Sequence, residues 1–391
     1  MTAAGMRSTA RARRIWSASW IIAGLVLGLA SAARPLPAQT APQQEEKKKE
    51  DKPEKPKSWR PHIIFVPDFY YRPETRLALG AGGFANYRLG KDKEHTRPST
   101  IGLTFVYTMN NQMRISLRPE IYFPRNSFIL NVVLNYSIFP TVFYGIGSQT
   151  PSSAAETYTP KTFGFQLSLR RKFFKDFFAG IQYQFKRTEI EKTQAGGLLS
   201  TGTIPGSQGG IVSGLGMTLT YDNRDNIIFP RRGSYFQLTT DVCGRYLGGD
   251  YNYTAVRLDL RRYIPLFEKH VLAFQLVART VSGTAPFYDL SNLGGAWIMR
   301  GISSGRFIDK SLLAFQTEYR LHIWKRFSAV GFAGLGDVAP SLTSFTFNPL
   351  KYSVGTGLRF RIDSREGTNV RVDYAWARGS SGLYVTLLES F

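Results

Sequence analysis

The chain ends in the sequence LYVTLLESF, residues 383–391, whose side chains alternate as they do in a β-strand. One face carries Leu383, Val385, Leu387 and Phe391, and the other carries Tyr384, Thr386 and Ser390. The termini of soluble proteins are usually exposed, so a final aromatic residue is of little use to them. A membrane barrel needs a last strand, because an open sheet edge in lipid leaves backbone groups unpaired. The ending therefore predicts the closing strand of a transmembrane β-barrel, with Glu389 on its outer face near the membrane surface.

The N-terminus predicts export. Arginines at 7, 11, 13 and 14 precede an apolar stretch at 16–29, and an A-x-A cleavage site follows at 30–32, with 37–39 as a later alternative. We expect residues 1–39 to be a cleaved signal peptide; a membrane-anchoring helix is the alternative. Residues 40–60 are polar and charged without apolar periodicity, which predicts a disordered periplasmic leader.

The composition favours an outer-membrane barrel. The chain has 28 Phe, 20 Tyr and 37 Gly, and after the signal it has no apolar run long enough for a spanning helix. Its net charge of +22 favours anionic surfaces such as lipopolysaccharide, whereas no nucleic-acid-binding motif is present. The single cysteine excludes an intramolecular disulfide, and the four histidines have no metal-ligand spacing, so we expect no metal and no cofactor.

Short alternating runs follow one another through residues 61–391, which predicts an all-β antiparallel barrel of about sixteen strands, with fourteen as the alternative. In the later runs, one face is aromatic or aliphatic and the other is rich in arginine and carboxylates. A lumen of this width is too large for a dry core, so polar residues should face inward and apolar residues should face lipid. The predicted strands are 62–71, 76–88, 99–108, 113–122, 127–137, 160–171, 175–187, 209–223, 233–244, 250–263, 269–281, 311–323, 326–337, 351–362, 368–377 and 382–391.

Three segments go beyond a generic barrel pattern. The first, residues 221–235, contains Tyr221, Asp222, Arg224, Asp225, Pro230 and Gly233 and, taken alone, fits an ordinary periplasmic hairpin. The second, the connection 282–310, contains Arg300 and Gly301, and a long loop of this kind is usually functional or disordered. The third runs from Glu318 through Asp337 and Arg359 to Asp373.

In this order, the three segments resemble the C-terminal barrel of the Omp85 superfamily, that is, the bacterial surface antigen (D15) or BamA/TamA-like proteins. The resemblance is strongest over 209–391 and extends more weakly to residue 62. It implies a sixteen-stranded barrel whose sixth extracellular loop folds into the lumen. There, acidic residues of the wall hold its arginine, here Arg300. It also implies weak closure between the first and last strands, which insertases use to open laterally.

The sequence departs from the family pattern in three places. Ile302 occupies the position of an aromatic residue, and Gly334 occupies the position of the acid that usually pairs with the arginine. Glu318, Asp337 and Asp373 are the candidate replacements for that acid. We also expect no periplasmic POTRA domain, and these domains receive substrate in the assembly and secretion members.

These observations predict a monomeric outer-membrane protein that aids insertion or translocation of proteins or lipids. Its expected partners are outer-membrane lipids, lipopolysaccharide, and other outer-membrane or periplasmic proteins. The alternative is a passive, mildly anion-preferring pore. An enzyme is not expected, because no nucleophile lies in a recognisable motif with a base. Tyr384, Leu387 and Phe391 are expected to form a C-terminal signal for the assembly machinery.

Overall fold

A computed structural model describes residues 62–72, 76–346, 348–362, 367–387 and 389–391. The expected signal peptide, residues 1–39, and leader, residues 40–60, lie outside these ranges. Within them, sixteen antiparallel strands of eight or more residues form one large sheet. The strands are β1 His62–Arg72, β2 Arg76–Tyr87, β3 Ser99–Thr108, β4 Met113–Tyr122, β5 Phe128–Ile138, β6 Glu156–Phe174, β7 Phe177–Thr193, β8 Gly210–Asp222, β9 Gly233–Cys243, β10 Tyr253–Leu266, β11 His270–Gly283, β12 Ser311–Trp324, β13 Phe327–Ala339, β14 Lys351–Arg361, β15 Asn369–Ala377 and β16 Ser380–Leu387.

The all-β fold and the count of sixteen agree with the sequence prediction, and most strand boundaries agree within three residues. The largest differences are in β6 and β7, which are longer than predicted and are joined by a two-residue turn. The added start of β6 pairs with a short strand, Thr141–Phe143, that follows β5, and the added end of β7 pairs with β6. These two strands therefore extend beyond the neighbouring strands at the loop end of the barrel, where the connection between β11 and β12 also lies.

Short pieces of secondary structure lie in the connections. A two-stranded ladder joins Ser291–Leu293 to Phe307–Asp309 inside the connection between β11 and β12. The 3-10 helices are Pro124–Asn126, Ser152–Ala154, Leu198–Thr201, Arg245–Leu247 and Phe287–Asp289. In the described part of the chain, no helix has the length and hydropathy needed to cross a bilayer.

The two faces of the sheet are reversed relative to a soluble protein. Large apolar side chains point outward and are exposed, such as Leu358 at 59% and Trp376 at 47%. Charged side chains point inward and are buried, with Arg359 at 1% and Asp373 at 0% exposure. Exposed apolar surface on this scale needs an apolar solvent, whereas the buried charges need partners across a lumen. The polar-in, apolar-out orientation expected from the alternation is therefore present.

The strand order gives the barrel two different ends. Because the strand number is even, β1 begins and β16 ends at the same end, which we call the terminal end. The opposite loop end carries the long connection at 284–310 between β11 and β12. Turns at the terminal end include the short ones at 175–176, 267–269 and 325–326.

The first and last strands lie side by side. The sequence predicted that the last strand closes the barrel, but no ladder joins these two strands in the described residues. In the described residues, β1 is hydrogen-bonded in register to β2 alone, and β16 to β15 alone. Moreover, β16 ends at Leu387, so the predicted strand over 382–391 is too long. We call the junction of β1 and β16 the seam; it is open in the hydrogen-bonding sense.

Candidate functional site

The connection 284–310 enters the lumen from the loop end. Apolar side chains of this loop pack against the wall of β11–β13: Leu293, Met299 and Ile302 contact Val277, Leu312 and Val338. Near its tip, the chain adopts left-handed backbone angles at Met299 and at Gly301, where φ is +99°. These angles turn the loop sharply and direct the Arg300 side chain at the barrel wall.

Arg300 is fully buried in the lumen and is held by two carboxylates. Its guanidinium donates to Asp373 Oδ2 at 2.5 Å and to Glu318 Oε2 at 2.8 Å. The same group stacks on Phe332, 3.4 Å from the ring centroid. Charge-assisted bonds are strong when water is excluded, so these contacts clamp the loop tip to β12 and β15.

Neighbouring strands extend this clamp into a charged network. Four guanidinium groups, those of Arg300, Arg320, Arg359 and Arg371, share three carboxylates, those of Glu318, Asp373 and Glu389. Arg359 contacts all three acids, at 3.5 Å from Glu318, 2.5 Å from Asp373 and 2.9 Å from Glu389. The cations of the wall can therefore neutralise its acids without the loop, and Arg300 adds one positive charge.

A second set of contacts fastens the loop to the last strand. The Gly301 N–H donates to the Tyr384 hydroxyl at 2.9 Å, and the Ser380 hydroxyl donates to the Gly301 carbonyl at 2.6 Å. A Cβ at Gly301 would lie 3.1 Å from the carbonyl carbon of Trp376, so the loop backbone approaches β15 closely. The loop thus spans from β12 to β16, the strand at the seam.

The candidate acids occupy different positions. Glu318 and Asp373 both contact Arg300, whereas Asp337 does not, and expecting it as a partner was wrong. Asp337 instead accepts from Lys351 and Ser148, each at 2.6 Å, near the loop end. Asp337 lies near the end of β13, closer to the loop end than the level at which Arg300 meets the wall.

The structure also explains the glycine at the expected acid position. A Cβ on Gly334 would lie 2.7 Å from the Met299 sulfur, so the loop's methionine fills the space that an acidic side chain would need. Met299 is also anchored through its backbone N–H, which donates to Gln316 at 3.0 Å. The arginine is therefore held by acids on strands 12 and 15, while strand 13 contributes Phe332.

The motif at 221–235 connects to the same network at the terminal end. The Asp222 carboxylate accepts two bonds from the Arg224 guanidinium, at 2.8 and 3.0 Å, and one from Arg97 at 2.7 Å. The Pro230 carbonyl accepts from Arg320 at 3.0 Å.

The remaining motif residues shape the turn. Asp225 accepts from the backbone N–H groups of three residues of the turn. Gly233 has φ of +105°, and Tyr221 points outward with 38% exposure. The motif is therefore more than an ordinary hairpin.

The C-terminal residues follow a different path from the one predicted. After β16, residues 389–391 turn into the barrel and are buried. Phe391 packs on Tyr263, Val271 and Ala273, and its carbonyl accepts from Arg320 at 2.9 Å.

The expectation that Glu389 lies at the membrane surface is wrong, because Glu389 is 5% exposed and accepts from Arg359 and Asn369. Of the expected C-terminal signal, Tyr384 faces the lumen, Leu387 ends β16, and Phe391 is enclosed. A buried acid just before the end of the chain has many inward-facing arginines as possible partners, and the sequence alone does not identify them.

Sequence reasoning did not assign roles to Arg320, Arg371 or Phe332. Their inward parity was readable from the alternation, but their partners lie on other strands. Within the described residues, no group of three or more His, Cys, Asp or Glu side chains could hold a metal ion.

Comparison with known proteins gives the family. A model of the Omp85 superfamily domain matches residues 79–381. A curated relative, the SAM50-like protein CG7639 of Drosophila melanogaster, is 28% identical over 164 residues, which cover 39% of this chain and 35% of the relative. The chain thus matches about a third of that relative's length.

Solved barrels share the fold. BamA from Haemophilus ducreyi lacking POTRA domains 1–3 has a TM-score of 0.55 at 16% identity, and the match covers 84% of this chain and 70% of that one. CdiB from Acinetobacter baumannii has a TM-score of 0.53 at 12% identity, and the match covers 83% and 59%. At these identities the likeness extends to the fold alone.

Proposed function

The chain belongs to the Omp85 superfamily of outer-membrane barrels, and on this premise we propose that it aids the insertion or translocation of proteins or lipids at the outer membrane. Its terminal end faces the periplasm and its loop end faces the exterior. Its partners are membrane lipids with lipopolysaccharide and other outer-membrane or periplasmic proteins. The protein acts as a monomer and performs no enzymatic reaction.

The observation that carries the proposal is the open seam. The facing edges of β1 and β16 have no ladder hydrogen bonds to each other in the described residues. In lipid, unpaired backbone groups are costly, so such an edge favours pairing with an incoming strand. A client segment can add at the seam and leave sideways into the bilayer.

The loop clamp gives the seam a fixed side. Gly301 and Arg300 connect the loop to β12, β15 and β16, so these strands are held as one unit. We therefore infer that β1 moves relative to a rigid β12–β16 wall when the seam opens.

Insertion into liposomes tests this function. The purified protein is reconstituted, and the folding rate of a urea-denatured outer-membrane protein is compared with the rate in empty liposomes. A Cys243→Ser background then receives Ile63→Cys in β1 and Val385→Cys in β16, joined by a flexible, reducible cross-linker. We expect acceleration that disappears on cross-linking and returns on reduction, whereas the two single-cysteine proteins remain active.

Two results would contradict the proposal. One is a folding rate equal to that in empty liposomes, and the other is full acceleration with the seam cross-linked. The alternative function is an anion-preferring pore, and it is favoured by a lumen cavity that five arginines line. A steady anion-selective current through planar bilayers that is indifferent to the cross-link would support that alternative.

A further inference from the structure

The half of the lumen away from the loop tip holds a polar cavity of about 460 Å³. Five arginines line it, and we call it the arginine cavity: Arg97, Arg170, Arg224, Arg257 and Arg279. Three acids, Glu120, Asp222 and Asp241, line it as well, so cations outnumber carboxylates on its surface.

The ion pairs around Asp222 contain one more positive charge than negative charge. Arg97 contacts Asp222 at 2.7 Å, and Arg224 contacts the same carboxylate at 2.8 Å. All three side chains are at least four-fifths buried. Two guanidinium groups therefore share a single anion beside the cavity.

Arg170 is the most unusual of the five. Its side chain is 8% exposed, yet its close partners are neutral: Asn131, and Thr220 at 3.3 Å. The nearest carboxylate described is that of Glu120, at 3.8 Å and itself partly exposed. Arg170 Nε has no hydrogen-bond partner in the described part of the chain. A buried cation without a close anion is unfavourable, and an anion in the cavity would relieve that cost.

We propose that the arginine cavity is a binding site for a phosphate-bearing anion. Guanidinium groups bind phosphate oxygens through two parallel N–H donors, and a cavity of this size accommodates a small phosphorylated solute or a headgroup. Arg170 lines the cavity with no carboxylate closer than 3.8 Å, and the excess charge shared by Arg97 and Arg224 adds attraction. Glu120 opposes binding, because its carboxylate repels the ligand and competes for Arg170.

Calorimetric titration of the full-length protein with inorganic phosphate tests the site. The protein is folded in octyl glucoside, a detergent without phosphate, at constant ionic strength. We expect saturable binding that weakens at least tenfold in Arg170→Gln, because a charge-assisted bond to the ligand is lost. Glu120→Gln should bind several-fold more tightly. The matched control is Arg187→Gln, whose arginine is exposed and paired with Glu189 outside the cavity.

Each variant is first checked for a heat-modifiable, folded band on gels. Should Arg170→Gln fail this check, the opposite shift expected for Glu120→Gln still decides the matter. Absence of saturable binding to the unmodified protein, or equal affinity in both cavity variants, would overturn the site. Micelles doped with short-chain phosphatidylglycerol identify the source: competition with phosphate indicates a lipid headgroup, and its absence indicates a soluble phosphorylated compound.

Discussion

Replacing Arg300 with alanine removes the cation that clamps the loop to the barrel wall. The change deletes the bonds to Glu318 and Asp373 and the contact with Phe332. The wall keeps three arginines for its three carboxylates, so no acid is left without a cationic partner. The barrel should therefore fold, while the loop docks less firmly.

The size of the effect follows from the buried geometry. Breaking a buried ion pair costs about 3–5 kcal/mol when one charge is left unpaired. Because the wall acids retain partners here, we take the lower end of that range, about 3 kcal/mol. That is roughly a 150-fold increase in the population of the undocked loop.

Hydrogen exchange measures this population directly. The amides of Met299 and Gly301 donate to Gln316 and Tyr384, so a peptide spanning 291–309 reports the docked state. We expect faster exchange in this peptide for Arg300→Ala, with strand peptides unchanged. The control is Arg306→Ala in the same loop, because Arg306 bonds to the neutral Thr150 and its loss should change exchange little.

Unchanged exchange in Arg300→Ala would refute the clamp, because the loop would then be held by its apolar contacts alone. Equal effects in the two variants would also refute it, since any arginine in the loop would then serve. Collapse of the whole barrel would show that Arg300 belongs to the folding core of the wall.

Three further changes test other parts of the site, and one tests the periphery. Glu318→Gln leaves four guanidiniums for two carboxylates, so it should destabilise the barrel by about 3–5 kcal/mol, seen as a lower urea midpoint than that of Glu318→Asp. Gly301→Ala strains a left-handed position by about 1–3 kcal/mol and should speed exchange of the loop peptide. Phe391→Ala empties an enclosed site and should cost about 3 kcal/mol in urea unfolding, whereas Phe391→Leu should cost less. Hydrogen bonds from Arg125, and then from His95, lower the pKa of Asp92 to about 2, so the Asp92–Arg125 contact at the terminal end should hold above pH 4 and loosen as the pH falls toward 2. An NMR titration of the Asp92 carboxyl group measures this transition, and Asp92→Asn should abolish it.

Most of the fold was predictable from the sequence because strand alternation is a local property. Each run of β12, β14 and β15 carries apolar and polar residues at a period of two, and the structure places them outward and inward accordingly. The prediction failed at the C-terminus, where 389–391 leave the strand. There, burial of Phe391 on β10 and β11 decides the path, and no local pattern encodes those neighbours.

The site was predictable in part. The resemblance to the Omp85 superfamily implied a loop that folds into the lumen with Arg300 near its tip, and two of the three candidate acids contact the arginine. The acids could not be ranked, because Glu318, Asp337 and Asp373 all face inward on strands of the same wall. Their different heights along the barrel decide which one reaches the loop tip.

The sequence by itself determined the barrel, its approximate strand count and the direction of its faces, because these depend on periodicity and on residues close together in the chain. The loop arginine was identified through the resemblance of the motifs to the Omp85 superfamily. Only the tertiary structure decided the charged network, the replacement of an expected acid by Met299 against Gly334, the inward turn of Phe391 and the open seam. Each of these features depends on residues that are far apart in the sequence and lie on different strands or loops. They depend on the distance between side chains across the lumen, which the order of residues does not specify.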